Sequence, residues 1–191
     1  MCDAFRNRFS GLPNVRVVQA RFEELDDHDC FVTAGNSFGI MTAGIDAAVI
    51  GTFGESLMRT VQLHIMDRFL GEQPVGTAFV VSTGSNWIPY LVHAPTMRVP
   101  GSISGTDKVY AAAWAAFVAA HLHNVAAETK IETIAFPAMG TGFGGMSFDE
   151  SARQIAAAYR HYLSPPTRLD WDFVVERHKN IAYDGNRQVA K

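Results

Sequence analysis

The stretch Cys30-Phe31-Val32-Thr33-Ala34-Gly35-Asn36-Ser37-Phe38-Gly39 decides the fold of this chain. It has the pattern of an apolar strand followed by a glycine-containing loop, and Ala43-Gly44-Ile45-Asp46 then opens a helix. A second strand and loop follow at Ile134-Ala135-Phe136-Pro137-Ala138-Met139-Gly140-Thr141-Gly142-Phe143-Gly144-Gly145. A helix N-terminus offers unpaired N–H groups and a positive dipole end, and glycine lets a ligand approach the backbone closely. Two such loops at one sheet edge would form an anion cradle, which points to a nucleotide diphosphate.

Size and composition limit the possible partners. The 191 residues are 48% apolar and fit one domain with its own core. Sixteen basic and nineteen acidic residues give a net charge of −3, which argues against nucleic-acid binding through a basic surface. Cys2 and Cys30 form no disulfide framework or metal-ligand pattern. No cluster of residues in the sequence requires a metal, and no cofactor is expected. Without a signal-like or membrane-spanning apolar stretch, we expect no membrane partner and a cytoplasmic location.

Short apolar runs alternate with helical patterns, which predicts a three-layer α/β/α sandwich with a mixed central sheet. We expect one domain over residues 15–177, preceded by an extension at 1–14 and followed by a tail at 178–191. The predicted strands are Val15–Gln19, Cys30–Ala34, Thr77–Ser82, Tyr90–Ala94, Ile131–Phe136 and Trp171–Val175. The third and fourth are joined by a turn at Gly84-Ser85-Asn86, so they should be antiparallel neighbours.

Helices are predicted from capping signals and four-residue spacing. Thr52-Phe53-Gly54-Glu55 fits a capping box, and the apolar residues that follow recur on one face as far as Gly71. An alanine-rich helix is expected over Thr106–Leu122. Ser147-Phe148-Asp149-Glu150 fits a second capping box, whose helix should run to about Leu163.

With both loops in view, the chain resembles the macro domain family, whose fold binds ADP-ribose. The resemblance rests on Phe31-Val32-Thr33-Ala34-Gly35-Asn36 with Ala43-Gly44-Ile45-Asp46-Ala47-Ala48, and on Ala135-Phe136-Pro137-Ala138-Met139-Gly140-Thr141-Gly142. It implies that ADP-ribose or an ADP-ribosylated substrate is the partner, bound in a cleft between the two loops. It also implies hydrolysis at the distal ribose of an ADP-ribosyl-protein, O-acetyl-ADP-ribose or ADP-ribose 1″-phosphate.

The residues expected in the site lie on these two loops. Asn36 would hold the distal ribose by donating and accepting through its amide, although a turn-making role is the alternative. Asp46 would accept from the ribose or orient a water, although a carboxylate in a first helical turn is stabilised by the dipole anyway. The other predicted ligand-binding residues are Ala34, Gly35, Ser37, Gly44, Ile45, Met139, Gly140, Thr141, Gly142, Phe143, Gly144 and Gly145.

Several alternatives stay open at this point. Arg21 stands where the family has the acid that holds adenine, and Glu176 stands near the position of its stacking aromatic, so a related nucleotide is one option. A non-catalytic ADP-ribose reader and a structural domain with a vestigial pocket are others. Gly140, Gly142 and Gly145 also satisfy a dinucleotide fingerprint, but too little chain follows to complete a doubly wound domain. His93 lies within an apolar strand and is interpreted as a core histidine.

Overall fold

A computed structural model describes residues 1–25 and 28–182 of the chain. Its described part contains a four-stranded sheet made of β1 (Cys30–Thr33), β2 (Phe79–Ser82), β3 (Tyr90–His93) and β4 (Ile134–Ala135). The strands lie in the order β2-β3-β1-β4. β1 is parallel to β3 and to β4, whereas β2 is antiparallel to β3. The mixed sheet and the antiparallel pair are therefore confirmed.

Helices cover the sheet on both sides. The helices in the described ranges are α1 (Cys2–Arg8), α2 (Gly44–Phe53), α3 (Glu55–Phe69), α4 (Lys108–Ala126), α5 (Phe148–Leu163) and α6 (Trp171–Ile181), with a 3-10 turn at Phe22–Glu24. α5 begins as predicted, because the Ser147 side chain accepts from the backbone N–H of Glu150 at 3.2 Å. The Glu150 carboxylate accepts hydrogen bonds from Arg153 and Gln154.

Alternating strand side chains enter two separate apolar clusters, one on each face of the sheet. Phe31 and Leu91 pack with residues of α2 and α3. Val32 and Val92 pack with residues of α4 and α5. Buried alanines at Ala112, Ala113, Ala116, Ala152, Ala156 and Ala158 line α4 and α5 within this second cluster. The predicted three-layer α/β/α architecture is confirmed.

Residues 1–14 pack against α5. The guanidinium of Arg8 pairs with the Asp149 carboxylate, with its Nε donating at 2.9 Å. Tyr159 donates through its hydroxyl to the carbonyl of Pro13 at 2.9 Å, and the Phe9 ring lies 6.5 Å from the Tyr159 ring. The N-terminal segment thus contributes apolar contacts to the face formed by α4 and α5.

Three local predictions differ from the structure. Val15–Gln19 was predicted as a strand but lies outside the described sheet, with Val15 and Val18 exposed. The predicted capping box at Thr52–Glu55 is wrong, because Thr52 donates back to the Ala48 carbonyl inside α2 and Gly54 stands as the N-cap of α3. The strand predicted at Ile131–Phe136 is confirmed only at Ile134–Ala135.

The last predicted strand, Trp171–Val175, is wrong. These residues form the first half of α6, whose N-terminus is capped by the Asp170 carboxylate accepting from the backbone N–H of Phe173 at 2.9 Å. α6 continues to Ile181, so the first residues of the predicted tail are helical. The remainder of that tail, residues 183–191, lies outside the described residues.

Candidate functional site

The candidate site lies at the carboxyl-terminal ends of the neighbouring strands β1 and β4. Loop 1 (residues 34–43) follows β1, and loop 2 (residues 136–147) follows β4. β1 and β4 are neighbouring parallel strands, so both loops leave the same edge. β1 is also where the strand order reverses, since β3 lies on its other side. Ligands of open α/β sheets bind at such switch points, outside the carboxyl ends of the strands.

Loop 2 presents a run of unpaired backbone donors. Its turn is held by Gly145 donating to the Gly142 carbonyl at 3.0 Å and Met146 donating to the Gly140 carbonyl at 3.1 Å. Within the described part of the chain, the N–H groups of Gly142, Phe143 and Gly144 have no protein acceptor. Successive unpaired N–H groups in a turn form a concave anion-binding surface.

Loop 1 leads into a second set of backbone donors at the start of α2. The N-cap residue, Ala43, has no side chain that could accept a hydrogen bond, and none caps the helix. The first N–H groups of a helix have no intrahelical acceptor. The N–H groups of Gly44, Ile45 and Asp46 are therefore free of protein partners in the described ranges. Like loop 2, this terminus can bind an anion.

The glycines of the two loops fall into two physical classes. A Cβ on Gly144 would lie 2.4 Å from the Gly140 carbonyl oxygen, and one on Gly140 would lie 2.8 Å from Ile103 and Val109 side-chain atoms. These two glycines are required by protein packing. A Cβ on Gly142 or Gly44 would meet nothing within 4 Å. Gly142 and Gly44 therefore leave open space in front of the backbone, which a ligand could use.

Asn36 holds loop 1 in shape through its side chain. Its Oδ1 accepts from the N–H groups of Phe38 at 3.1 Å and Ile40 at 3.3 Å, and its Nδ2 donates to the Ile40 carbonyl at 2.8 Å. Both lone pairs of the amide oxygen are thus used, and one N–H remains. The expected dual role toward a ribose is therefore reduced, in this arrangement, to a single donor.

Asp46 lies in the first turn of α2 and is buried. Its side chain is 6% exposed, and its Oδ1 accepts a hydrogen bond from the Thr33 hydroxyl. Burial raises the pKa of Asp46 to about 6, while the Thr33 hydrogen bond acts in the opposite direction. A carboxylate of this kind is a stronger base than an exposed aspartate and is still mostly ionised at pH 7.

A buried polar network lies directly beneath loop 1. His93, at the end of β3, is fully buried and pairs through Nδ1 with the Oε1 of Gln73 at 2.6 Å. A Cβ on Gly35 would lie 2.8 Å from His93 Nε2 and 3.1 Å from Asp46 Oδ2, so Gly35 separates the two groups at close range. His93 as a core histidine is confirmed. Gln73 is not among the predicted residues of the site, because a single glutamine in a turn has no motif or spacing that would identify it.

The remaining predicted ligand-binding residues differ in exposure. Phe143 is 64% exposed at the tip of loop 2, whereas Ser37 and Met139 are buried. Intermediate exposure is shared by Ala34, Ile45 and Thr141. The Thr141 hydroxyl donates to the Ala138 carbonyl at 2.8 Å and so closes the first turn of loop 2.

The segment after β3 connects the two loops. Ser37 donates its N–H to the carbonyls of Met97 at 3.1 Å and Arg98 at 3.2 Å. Ile103, a few residues further along, donates to the Gly144 carbonyl at 2.9 Å. Loop 1 and loop 2 are thus both fastened to residues 97–103.

The described residues contain neither a candidate metal centre nor a helix that could span a membrane. No cluster of histidine, cysteine, aspartate or glutamate side chains in the described ranges could hold a metal ion. Of the helices that the structure describes, none combines the length and apolar character needed to cross a membrane. The cytoplasmic location stays a prediction.

The fold and the candidate site define an α/β protein in which two loops present backbone N–H groups at a switch point of the sheet. A family model, Macro domain, matches residues 32–155, and the chain belongs to this family. An uncharacterized protein of Aeropyrum pernix is 34% identical over 134 residues, which cover 68% of this chain and 62% of that protein. The chain thus spans less than two thirds of that relative's length.

Solved structures agree on the fold. The macrodomain of Mycobacterium tuberculosis DarG matches with a TM-score of 0.63 and 19% identity, covering 75% of this chain and 88% of that one. A mutant of the Oceanobacillus iheyensis macrodomain, solved with ADPR, matches with a TM-score of 0.58 and 21% identity over 73% of both chains.

Proposed function

We propose that this protein binds ADP-ribose or a derivative of it, with the diphosphate held by loop 2 and the N-terminus of α2. The observation that carries the proposal is the set of unpaired N–H groups at Gly142, Phe143 and Gly144, next to the uncapped start of α2. Both sets follow neighbouring parallel strands. The Oceanobacillus iheyensis macrodomain solved with ADPR supports the choice of ligand. Backbone donors suit a chain of net charge −3, because they need no basic side chains.

The second part of the proposal is hydrolysis at the distal ribose. Asn36 has one N–H left to donate to a ribose hydroxyl, and Asp46 begins the same helix whose N-terminus holds the phosphate. With a pKa raised to about 6 by burial, the Asp46 carboxylate can accept a proton from a ribose hydroxyl or an attacking water near neutral pH. A phosphate oxygen of the substrate is the alternative base, with Asp46 then orienting the water.

A non-catalytic reader is the second candidate, and one observation favours it. Asp46 is 6% exposed and bonded to Thr33, and Asn36 is bonded within its own loop. Side chains bonded in this way stabilise the protein's own structure. A protein that only binds ADP-ribose does not require them to act in catalysis. In both candidates the adenine end differs from the family pattern, because Arg21 stands where the family has an acid. The Arg21 backbone N–H is bonded to Glu24 at 3.0 Å, at the start of the 3-10 turn.

The binding test uses calorimetric titration with ADP-ribose, with AMP and NAD as controls. Gly142→Val places a side chain in open space on loop 2 and should weaken ADP-ribose binding at least about ten-fold without loss of stability, because it displaces the diphosphate. Gly51→Val is the matched control, since a Cβ there also meets nothing within 4 Å but lies in the middle of α2. Equal affinities for wild type and Gly142→Val would refute the placement of the diphosphate.

The second test separates the enzyme from the reader. Mono-ADP-ribosylated protein and ADP-ribose 1″-phosphate are incubated with wild type, Asn36→Ala and Asp46→Asn. Product release that is lost in Asp46→Asn, while ADP-ribose still binds, supports hydrolysis. Tight binding of ADP-ribose without release from either substrate supports the reader.

A further inference from the structure

The histidine beneath loop 1 has a buried nitrogen without a hydrogen bond. His93 is fully buried, and its Nε2 has no hydrogen-bond partner among the described residues. The other ring nitrogen, Nδ1, lies 2.6 Å from Gln73 Oε1. Because the Gln73 oxygen can only accept, Nδ1 carries the proton and Nε2 carries the lone pair. Buried polar atoms are nearly always hydrogen-bonded, so a donor is expected close to this lone pair.

The carboxyl of Asp46 lies across Gly35 from this nitrogen. A Cβ on Gly35 would lie 2.8 Å from His93 Nε2 and 3.1 Å from Asp46 Oδ2, so both atoms border the space that the missing side chain leaves. The sheet brings the two groups together, because Thr33 of β1 is the register partner of His93 of β3. The Thr33 hydroxyl donates to Asp46 Oδ1, which places the carboxyl beside the ends of both strands.

The hydrogen bond from Thr33 determines which oxygen of Asp46 would take up a proton. Oδ1 already accepts from the Thr33 hydroxyl, so a proton on the carboxyl belongs on Oδ2, the oxygen on the side of His93. An ionised carboxylate has only acceptors and offers nothing to the lone pair of Nε2. A protonated carboxyl has one O–H donor, so protonation supplies the hydrogen bond that Nε2 lacks.

We propose that Asp46 and His93 hold one proton between them, carried by Oδ2 and donated to Nε2, and that His93 is a positioning residue for Asp46. The proposal deepens the proposed hydrolysis and rests on it for the catalytic consequence alone. When a ribose hydroxyl or an attacking water gives up a proton, its O–H bond breaks, the electron pair stays on its oxygen, and the proton joins Oδ2. The hydrogen bond to Nε2 then stabilises the protonated carboxyl, which makes Asp46 a stronger base than an aspartate without this partner.

Burial favours the same protonation states. It raises the pKa of Asp46 to about 6 and lowers the pKa of His93 to about 3, so the ring stays neutral while the carboxyl titrates. The second influence on the pKa of Asp46 is the Thr33 hydrogen bond, which lowers it. The other titratable group that acts on His93 is His64 of α3, and the Phe79 ring contacts both imidazoles. His64 is therefore the group for which the experiment needs a control.

The first experiment follows both groups by NMR in the wild-type protein without ligand. The Asp46 carboxyl carbon, identified by its loss in Asp46→Asn, and the His93 Nε2 nitrogen are titrated between about pH 4 and pH 8. Both resonances should shift with one shared midpoint at about pH 6, because Nε2 accepts a hydrogen bond only while Oδ2 is protonated. A carboxyl that titrates while Nε2 does not shift at the same midpoint overturns the proposal.

Two variants test whether His93 acts on the proton of Asp46. His93→Phe keeps a flat ring and removes Nε2, so the Asp46 midpoint should fall by about one pH unit, which corresponds to the loss of one typical hydrogen bond. His64→Phe is the matched control: it keeps a ring against Phe79 and removes the other imidazole, and both titrations should be unchanged.

Gln73→Leu is the second variant, and it leaves the His93 ring in place. Without an acceptor for Nδ1–H, the ring can carry its proton on Nε2 and donate it to the Asp46 carboxylate, which also lowers the midpoint. An unchanged Asp46 midpoint in whichever of His93→Phe and Gln73→Leu folds overturns the proposal.

Kinetics separate this proposal from the one on which it rests. With mono-ADP-ribosylated protein as substrate, kcat should fall as the pH drops below about 6, and His93→Phe should move this decrease to lower pH by the same unit, with KM unchanged. A wild type without binding or turnover overturns the proposed function and leaves the shared proton standing, because the NMR titration needs no ligand. Turnover together with independent titrations of the two groups overturns the shared proton and leaves the hydrolysis standing.

Discussion

His93 Nδ1 lies 2.6 Å from Gln73 Oε1, and this contact fixes the tautomer of a histidine beneath the candidate site. The Nε2 of Gln73 donates to the carbonyls of Thr77 and His93, so the oxygen of its amide must face the imidazole. Nδ1 therefore carries the proton, and Nε2, which has no hydrogen-bond partner among the described residues, is a lone-pair acceptor facing Gly35. Burial lowers the pKa of His93 to about 3, which keeps the ring neutral.

The first prediction concerns Gln73, whose side chain is fully buried. Gln73→Leu leaves the N–H of the His93 ring and the carbonyl of Thr77 without this partner. The free energy of unfolding, measured in urea, should fall by about 1–3 kcal/mol. Gln19→Leu, at an exposed position, is the control and should change it by less than about 0.5 kcal/mol. The double variant Gln73→Leu/His93→Leu should regain part of the loss, because both polar partners are then removed together.

The second prediction concerns Gly35, whose missing side chain makes room for two buried groups. In Gly35→Ala the new methyl would lie 2.8 Å from His93 Nε2 and 3.1 Å from Asp46 Oδ2, neither of which belongs to a long flexible side chain. We expect a loss of about 1–3 kcal/mol of stability and a weaker affinity for ADP-ribose, because loop 1 must shift. Gly51→Ala is the matched control, and in the helix interior it should stabilise the protein by about 0.5–1 kcal/mol. Two variants of equal stability would contradict the crowding at Gly35.

The third prediction concerns the pH dependence of stability that Asp46 contributes. Its pKa is about 6 in the folded protein and 3.8 in its usual state, so between these values the unfolded chain is ionised and the folded one is protonated. The contribution of Asp46 to stability is therefore present at low pH and is lost as the pH rises through 6. Asp46→Asn keeps an acceptor for Thr33 but does not titrate.

Unfolding in urea at several pH values measures this effect. Between pH 4 and pH 7 the stability of Asp46→Asn should rise by about 2–3 kcal/mol relative to wild type. His93 titrates in both proteins and cancels in the comparison: its lowered pKa makes each protein lose stability as the pH falls below its usual value of 6.5. A constant difference across this range would show that Asp46 is not desolvated.

How far the sequence predicts this structure depends on how local each signal is. The continuous apolar runs in Cys30–Thr33 and Tyr90–His93 predict strands correctly, because both faces of these strands are covered. The four-residue spacing of Leu57, Val61 and Ile65 predicts α3 correctly, because one face of this helix is buried. Val15–Gln19 has a similar apolar content, but a strand also requires a hydrogen-bonded neighbour, which a sequence does not display. The burial of Asp46, and the position of Gly35 against both Asp46 and His93, depend on how separate segments meet in the fold, and no spacing in the sequence predicts them.

The error at Trp171–Val175 has a different origin. Its apolar residues suggested a final strand, as did the resemblance, but Asp170 is a good N-cap residue and its carboxylate does cap the helix at Phe173. Arg177 also contacts Trp114 and Tyr110 of α4, and the sequence does not display such contacts between distant segments. Asp170 as an N-cap residue predicts the start of a helix, whereas the apolar residues predict a strand, and the structure follows the capping signal.

The last prediction concerns how α6 is fixed to α4. The Arg177 guanidinium lies 4.5 Å from the centre of the Trp114 ring and donates to the Tyr110 hydroxyl at 3.0 Å. Arg177→Met removes both contacts and should lower the free energy of unfolding by about 1–2 kcal/mol. Lys179→Met, at an exposed position on the same helix, is the control and should have little effect. ADP-ribose affinity should not change in either variant, because the Arg177 side chain contacts α4 and α6 and neither loop. A weakened affinity in Arg177→Met alone would show that α6 supports the site.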